Sequence, residues 1–364
     1  MKRSLCWRLS YLLAVSFCVL GSARIGQGQA VAGALGLFEE QGDVGNVLHA
    51  GSASFDAAQQ SYTITASGEN MWATADAFHF VWKKFSGDVA ITAEIAFPTK
   101  TGNPHKKAVL MIRQSLDADS AYVDAALHLA GLTSLQARVE KGGATHEVGI
   151  DDEAATRLRL EKRGAYFYMY VARAGEDLHL AGGSMRLELK EPFYIGLGVC
   201  AHDKDAVETA LFSNVSVAAP APGKPKLFST LETMSVSSTD RRVVGVFEGR
   251  VEEPSWTTDG SALLFKKGKQ TEQIPATGGK AEPVTATGSA ARGNLSSPDG
   301  QRVLSLSALG KKPADATLSM TTVSDGKVKV LAKLLGGAGT LGAKPWSPDG
   351  KKITFVSYQM LPQE

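Results

Sequence analysis

The chain has 364 residues, of which 39 are Lys or Arg, 37 are Asp or Glu and only three are cysteine. This near balance of charge, without a long basic run interleaved with aromatic residues, gives no electrostatic support for nucleic-acid binding. The length is sufficient for two domains of ordinary size.

The N-terminus has the pattern of a secretory signal. Lys2, Arg3 and Arg8 precede an apolar run at 11–20, and small residues follow that run. The run is too short to span a bilayer, so we predict a cleaved signal peptide at 1–23 and a periplasmic or secreted protein. Since no later stretch is long and apolar enough, we expect no membrane span after cleavage.

Removal of the signal peptide changes the charge and the cysteine content. It leaves 36 basic and 37 acidic residues and a single cysteine, Cys200. One thiol cannot form an internal disulfide, and it cannot supply a cysteine-based metal site. The stability of the mature protein must therefore come from its buried core.

Before residue 219, short segments alternate apolar and polar residues. Such segments are typical of β-strands, and no helical period competes with them, so we predict an all-β sandwich. Phe78, Phe80 and Trp82 fall on one face of their segment. The predicted strands lie at 61–66, 78–82, 88–95, 108–113, 156–161, 165–171 and 193–199.

The order of these segments resembles the concanavalin A-like lectin/glucanase superfamily. The resemblance is carried by 109–114 followed by 120–122, and then by 158–164, 194–199 and 210–215. It covers approximately residues 31–218. It implies a jelly-roll sandwich of two sheets, in a superfamily that includes both lectins and glucanases.

A proline-rich segment divides the chain at 219–225. Repeated proline fixes φ, removes amide donors and favours an extended spacer. We therefore predict one domain at 31–218 and a second at 226–364.

The second region repeats one turn motif, in which aspartate and glycine precede an apolar strand pattern. Aspartate caps such a turn through its side chain, and glycine accepts positive φ before the strand begins. Successive aspartates are 40 and 50 residues apart, close to the length of a four-stranded propeller blade. The predicted turn residues are Asp259, Gly260, Pro298, Asp299, Gly300, Pro348, Asp349 and Gly350.

These repeats resemble those of the TolB-type β-propeller. The region holds about three blades, whereas closed propellers usually have about four to eight. We therefore expect a propeller that is truncated, internally deleted or completed by another chain. In the last case the protein would be an oligomer. Where such propellers often have a polar Asn/His stretch before the middle turn, this chain has a different sequence at 291–296.

The search for catalytic chemistry in the sequence is largely negative. The seven histidines are dispersed and include neither an HExxH motif nor a close pair, and no GxSxG elbow occurs. Acidic residues at 117–119 and 151–153 offer oxygen ligands to calcium, but solvated turns are the favoured interpretation. Residues 337–342 match GxGxxG and lead into a turn, which favours a loop between blades. We predict no cofactor, no metal and no catalytic residue.

A sugar site requires aromatic faces for stacking and planar groups that bind hydroxyls. We predict an exported, non-catalytic binding or scaffold protein, with glycan on the sandwich and an envelope protein partner on the propeller segment. The alternatives are a carbohydrate-active hydrolase with two facing carboxylates and a structural remnant completed by an oligomeric partner. The candidate ligand-binding residues, each of which has an internal structural role as its alternative, are Trp72, Trp82, Arg113, Gln114, Tyr122 and His128.

Overall fold

Short strands build the first part of the protein. The computed structural model describes residues 35–150, 152, 154–284, 295–308 and 310–362, and these ranges contain no helix. The prediction of an all-β fold is therefore confirmed. In chain order, the strands up to residue 218 are β1 (Glu40–Val44), β2 (Ser52–Asp56), β3 (Ser61–Ala66), β4 (Met71–Trp72), β5 (Ala75–Asp76), β6 (Phe78–Phe85), β7 (Val89–Ala96), β8 (Lys107–Arg113), β9 (Tyr122–His128), β10 (Thr133–Arg138), β11 (Thr145–Ile150), β12 (Arg157–Arg163), β13 (Tyr166–Ala172), β14 (His179–Leu180), β15 (Met185–Arg186), β16 (Phe193–Cys200) and β17 (Glu208–Ala218).

Two antiparallel sheets form the sandwich. The order β1-β6-β16-β8-β9-β10-β11 gives the front sheet, and β14-β13-β12-β7-β17-β3-β2, with β15 beside β13, gives the back sheet. Apolar residues at alternate positions of both sheets, such as Ile91, Leu110 and Phe212, fill the space between them. This alternation is the signal that located the strands in the sequence, and each predicted strand overlaps an observed one.

The second part of the protein adds three groups of antiparallel strands. β20 to β23 form a four-stranded sheet, β24 to β26 form a three-stranded sheet, and β19-β18-β27 extend the front sheet. None of these sheets closes on itself, in agreement with a partial propeller of about three blades. The strands are β18 (Pro225–Ser235), β19 (Arg241–Glu248), β20 (Val251–Trp256), β21 (Ala262–Lys267), β22 (Gln270–Pro275), β23 (Glu282–Val284), β24 (Arg302–Leu306), β25 (Ala314–Thr322), β26 (Val328–Gly336) and β27 (Lys352–Pro362).

The three repeated turns have one hydrogen-bonding pattern. Asp349 Oδ1 accepts a bond of 3.0 Å from the amide of Lys351, and the corresponding bonds at Asp259 and Asp299 are 3.1 and 3.0 Å long. The glycine that follows each aspartate has positive φ, which is 67° at Gly350. The turns lead into β21, β24 and β27 respectively, so the repeat marks the entry to each strand group.

Strand β27 is the central strand of the second part. It pairs with β18 along its whole length. Ile353 and Phe355 pack on the β24–β26 side, whereas Val356 and Tyr358 pack on the β20–β23 side. Because side chains alternate across a strand, β27 holds the two smaller sheets on opposite faces.

The front sheet continues from the first part of the chain into the second. β11 pairs with β19 in parallel, with Val148 opposite Arg241. The described residues all belong to one compact unit. β17 ends at Ala218 and β18 begins at Pro225, while the assignment of 31–218 and 226–364 as two domains stays a prediction.

The glycine-rich segment 337–342 lies against β20. The amide of Glu253 donates to Gly339 O over 2.9 Å. A Cβ added at Gly342 would lie 2.0 Å from Pro254 O, so this position needs glycine for the close approach of two backbones. The segment therefore has a packing role between sheets.

Some sequence predictions fall outside the described residues. They include the signal peptide at 1–23 and most of the segment at 291–296. Within the described ranges, no helix has the length and apolar character needed to cross a membrane.

Candidate functional site

The face of the front sheet that points away from the sandwich core is also buried. Its aromatic and aliphatic residues include Phe78, Phe80, Trp82 and Met111. Met71, in the short hairpin β4–β5, packs on this face and is fully buried. The hairpin therefore covers a sheet surface that the sequence alone presents as open.

Three charged residues fasten this hairpin to the sheet. Arg138 binds Asp76 in a bidentate manner, with Nη2–Oδ1 and Nη1–Oδ2 distances of 2.7 and 3.0 Å. Arg113 Nη2 lies 3.4 Å from Asp76 Oδ2, and all three side chains are fully buried. Both guanidinium groups also donate to backbone carbonyls. We call Asp76, Arg113 and Arg138 the charge centre.

A second buried carboxyl lies on the same face. Asp124 is fully buried, and neither of its carboxyl oxygens has a hydrogen-bond partner. Burial raises the pKa of Asp124 to about 8, against the opposing effect of the Lys107 charge. Lys107 Nζ instead donates to Met71 O and to Gln136 Oε1, over 2.9 and 3.1 Å. Asp124 is therefore expected to be mostly protonated at neutral pH.

The structure gives internal partners to the residues predicted to bind glycan. Arg113 belongs to the charge centre, and Tyr122 Oη donates to Met71 O over 3.3 Å. The Trp82 ring stacks on Phe80 with centroids 5.5 Å apart.

The remaining three candidates are also engaged. Gln114 bonds both backbone groups of Lys190, and the Lys107 ammonium lies 5.3 Å from the Trp72 ring centroid. His128 Nδ1 donates to Leu132 O over 2.9 Å. Of the six, Trp72 and Gln114 are half-buried and the others are buried, so glycan contact by these residues stays a prediction.

The acidic segments considered for calcium bond to basic side chains. Asp117 Oδ2 lies 2.5 Å from Lys141 Nζ, and Asp152 Oδ1 lies 3.0 Å from Arg173 Nε. Residues 151 and 153 lie outside the described residues. In the described part of the chain, no group of three or more His, Cys, Asp or Glu is arranged to hold a metal ion.

A cleft of about 510 Å³ opens where three strand groups meet. Its walls come from the β10–β11 hairpin, from β15 and the residues after it, from the start of β19, and from β26. Sequence reasoning missed this cleft because its walls are far apart along the chain. The described lining residues are Ala137, Val139, Glu140, His146, Met185, Arg186, Leu187, Glu188, Thr239, Arg241, Val330, Leu331, Ala332 and Lys333.

The cleft combines aliphatic side chains with charges of both signs. Arg186 Nη2 lies 2.8 Å from Glu188 Oε1, and Arg241 Nη2 lies 2.6 Å from the buried Glu232 Oε2. Glu140 and Lys333 are exposed at its border. No Trp, Tyr or Phe is among its described lining residues. The lining therefore suits aliphatic and charged groups better than the flat face of a sugar.

Comparison with known proteins gives only distant similarities. The chain matches no known family profile. An uncharacterized protein of Agrobacterium fabrum is 27% identical over 120 residues, which cover 30% of this chain and 41% of that protein. The matched part thus spans less than half the length of that relative.

Two solved structures resemble parts of the chain. A carbohydrate-binding module from Bacillus subtilis is 17% identical, with 50% of this chain and 98% of that chain covered at a TM-score of 0.35. A protein assigned as TolB from Agrobacterium tumefaciens is also 17% identical, with 76% and 99% covered at a TM-score of 0.18. TM-scores this low give no basis for transferring a function.

Proposed function

We propose that this protein is a non-catalytic binding protein that holds an extended polypeptide segment in the cleft. The observation that carries the proposal is the position of β26, whose residues Val330 to Lys333 form one wall of the cleft. The volume of about 510 Å³ lies within the usual range for ligand sites, which is roughly 300–1,000 Å³. Export to the periplasm or the cell exterior remains part of this proposal.

Strand β26 has the properties of a docking edge. Within the described residues it pairs with β25 on one side and has no strand neighbour on the other. An unpaired edge offers a row of backbone donors and acceptors to an incoming extended chain. Val328 and Val330 are 64% and 52% exposed, and they give such a chain apolar surface to cover.

The charged border would orient the bound segment. Glu140 and Glu188 supply negative charge, and Lys333 supplies positive charge beside the edge of β26. Charges of both signs at the cleft border favour a polypeptide that carries both signs of charge itself. Opposite charges on the segment and the border fix the position of the segment along β26, whereas like charges placed side by side weaken binding. The aliphatic floor contributes affinity by apolar burial.

The burial of two aromatic side chains supports this function over glycan binding at those two residues. A lectin site needs accessible aromatic faces, whereas Trp82 is 7% exposed and Tyr122 is 0% exposed in the front sheet.

Substitution of Val330 tests the cleft directly. Dodecapeptides are first selected from a random library displayed on phage, using the purified chain as bait. We expect Val330→Glu to weaken binding of the selected peptides by about tenfold or more, roughly 1.4 kcal/mol, because it places a charge on the apolar wall. Isothermal titration calorimetry measures the change.

Val323→Glu is the matched control, because Val323 is 56% exposed and lies outside the cleft lining. It should bind peptide as the unmodified protein does, and both variants should keep the same melting temperature. Equal affinity of Val330→Glu and the unmodified protein would contradict the proposal. So would selection of glycans, but of no peptide, in parallel screens.

A further inference from the structure

One residue of the cleft has a strained backbone. Thr239 lies in the turn between β18 and β19 and lines the cleft. Its φ is 64°, and among the residues that the structure describes it is the one β-branched residue with positive φ. This conformation brings Cβ close to the following carbonyl group, so glycine or asparagine is the usual residue there. Strain of this kind, placed in a binding cleft, is a reason to look for a functional contact of the residue.

Hydrogen bonds hold the turn in this conformation. The amide of Thr239 donates to Ser235 O over 2.9 Å, and the amide of Ser235 donates to Asp240 O over 3.0 Å. Strand β19 then begins at Arg241, which pairs with Val148 of β11. The turn is therefore fixed beside β11, the strand that carries His146 into the cleft.

The hydroxyl group of Thr239 orients the imidazole of His146. Thr239 Oγ1 donates to Ser238 O over 2.6 Å and lies 3.1 Å from His146 Nδ1. Since a carbonyl oxygen only accepts, the hydroxyl proton is directed to Ser238 O, and Oγ1 accepts from the Nδ1–H group of the ring. Asp240 Oδ1 lies 3.8 Å from the same ring nitrogen, and its negative charge also favours the proton at Nδ1.

The other ring nitrogen of His146 is available to a ligand. The side chain is 39% exposed and lines the cleft. Within the described ranges, the hydrogen bond and the ion pair of this ring both involve Nδ1. With the proton on Nδ1, Nε2 of the neutral ring carries a lone pair. It can therefore accept a hydrogen bond from an N–H or O–H group in the cleft.

We propose that His146 Nε2 recognises a hydrogen-bond donor, an amide or a hydroxyl group, on the polypeptide segment that binds in the cleft. Thr239 is then a positioning residue, because it holds the imidazole in the orientation that this contact needs. The inference rests on the proposed function and adds to it the chemistry of one recognised group. A ring that is already held in place loses less freedom on binding than a ring that turns.

The other polar groups of the cleft explain why this contact gives specificity. Arg186 is paired with Glu188, and Arg241 is paired with Glu232. These pairs occupy their charges within the protein, whereas His146 Nε2 has an unused acceptor. A segment that covers the ring without supplying a donor leaves this acceptor unpaired and away from water, which weakens binding.

A double-mutant cycle tests the proposal. Isothermal titration calorimetry measures the affinity of one phage-selected dodecapeptide for the unmodified chain, His146→Ala, Thr239→Gly and the double variant. We expect His146→Ala to weaken binding by about tenfold and Thr239→Gly to weaken it by a smaller factor. In the double variant the loss should equal that of His146→Ala, because Thr239 acts through the ring. Glycine suits the conformation of this turn, so the Thr239→Gly chain should fold.

Gln60→Gly and His49→Ala are the matched controls. Gln60 also has positive φ, at 50°, and both residues are exposed and lie outside the cleft lining, so both variants should bind as the unmodified chain does. Equal affinity of His146→Ala and the unmodified chain would overturn the proposal, as would the same loss from Thr239→Gly with and without His146. If Val330→Glu still weakens binding in that case, the docking function stands and this inference alone fails.

Discussion

Replacement of Asp76 by alanine is expected to lower the free energy of unfolding by about 3–5 kcal/mol, or to prevent folding altogether. The carboxylate of Asp76 binds two guanidinium groups whose side chains are fully buried. Without it, the buried guanidinium groups of Arg113 and Arg138 would lose the carboxylate with which both form ion pairs. Urea unfolding followed by tryptophan fluorescence measures the loss.

Asp117→Ala provides the control for Asp76→Ala. Asp117 pairs with Lys141 through side chains that are 57% and 61% exposed, so water and salt replace this pair at little cost. We expect little change in stability for the control. If Asp76→Ala were as stable as the unmodified protein, the charge centre would not be what holds the β4–β5 hairpin on the sheet.

Asp124→Asn is expected to change how stability depends on pH. The pKa of Asp124 is about 8 in the folded protein and about 4 for an ordinary aspartate in an unfolded chain. Between about pH 4 and pH 8, Asp124 keeps its proton in the folded state and has lost it in the unfolded state. The free energy of unfolding of the unmodified protein therefore falls as pH rises. The loss is on the order of a few kcal/mol and levels off above about pH 8.

The asparagine variant lacks this titration. The excess of its free energy of unfolding over that of the unmodified protein should therefore be small near pH 4 and increase up to about pH 8. Urea unfolding of both proteins across that range gives the difference, in which the titrations of other groups largely cancel. A difference that stays constant with pH, or that shrinks as pH rises, would show that Asp124 is ionised in the folded protein.

The alternating patterns in the sequence predicted seven of the 17 described strands up to residue 218. Segments such as 61–66 and 193–199 alternate in a way that matches β3 and β16. Strands β9 and β10 were not predicted, because polar positions such as Asp124 interrupt their apolar pattern although every residue of both strands is buried. The three turns of the second part were predictable because their chemistry is local.

The candidate site was much harder to predict. Arg113 and Tyr122 occupy the second face of strands β8 and β9, which alternation presents as a solvent face suited to ligand binding. The β4–β5 hairpin covers that face, and no local pattern in the sequence predicts this cover. The cleft depends on contacts between residues far apart in the chain, including the parallel pairing of β11 with β19.

Hydrogen–deuterium exchange of the full chain, with and without a peptide selected on it, is the most direct test of the proposed docking edge. Addition of a strand to β26 would give its outward amides a hydrogen-bond partner and slow their exchange. The account predicts protection at Val328–Gly336, with no change at β23, the outer strand of the four-stranded sheet. Protection confined to the sandwich, with β26 unaffected, would contradict it.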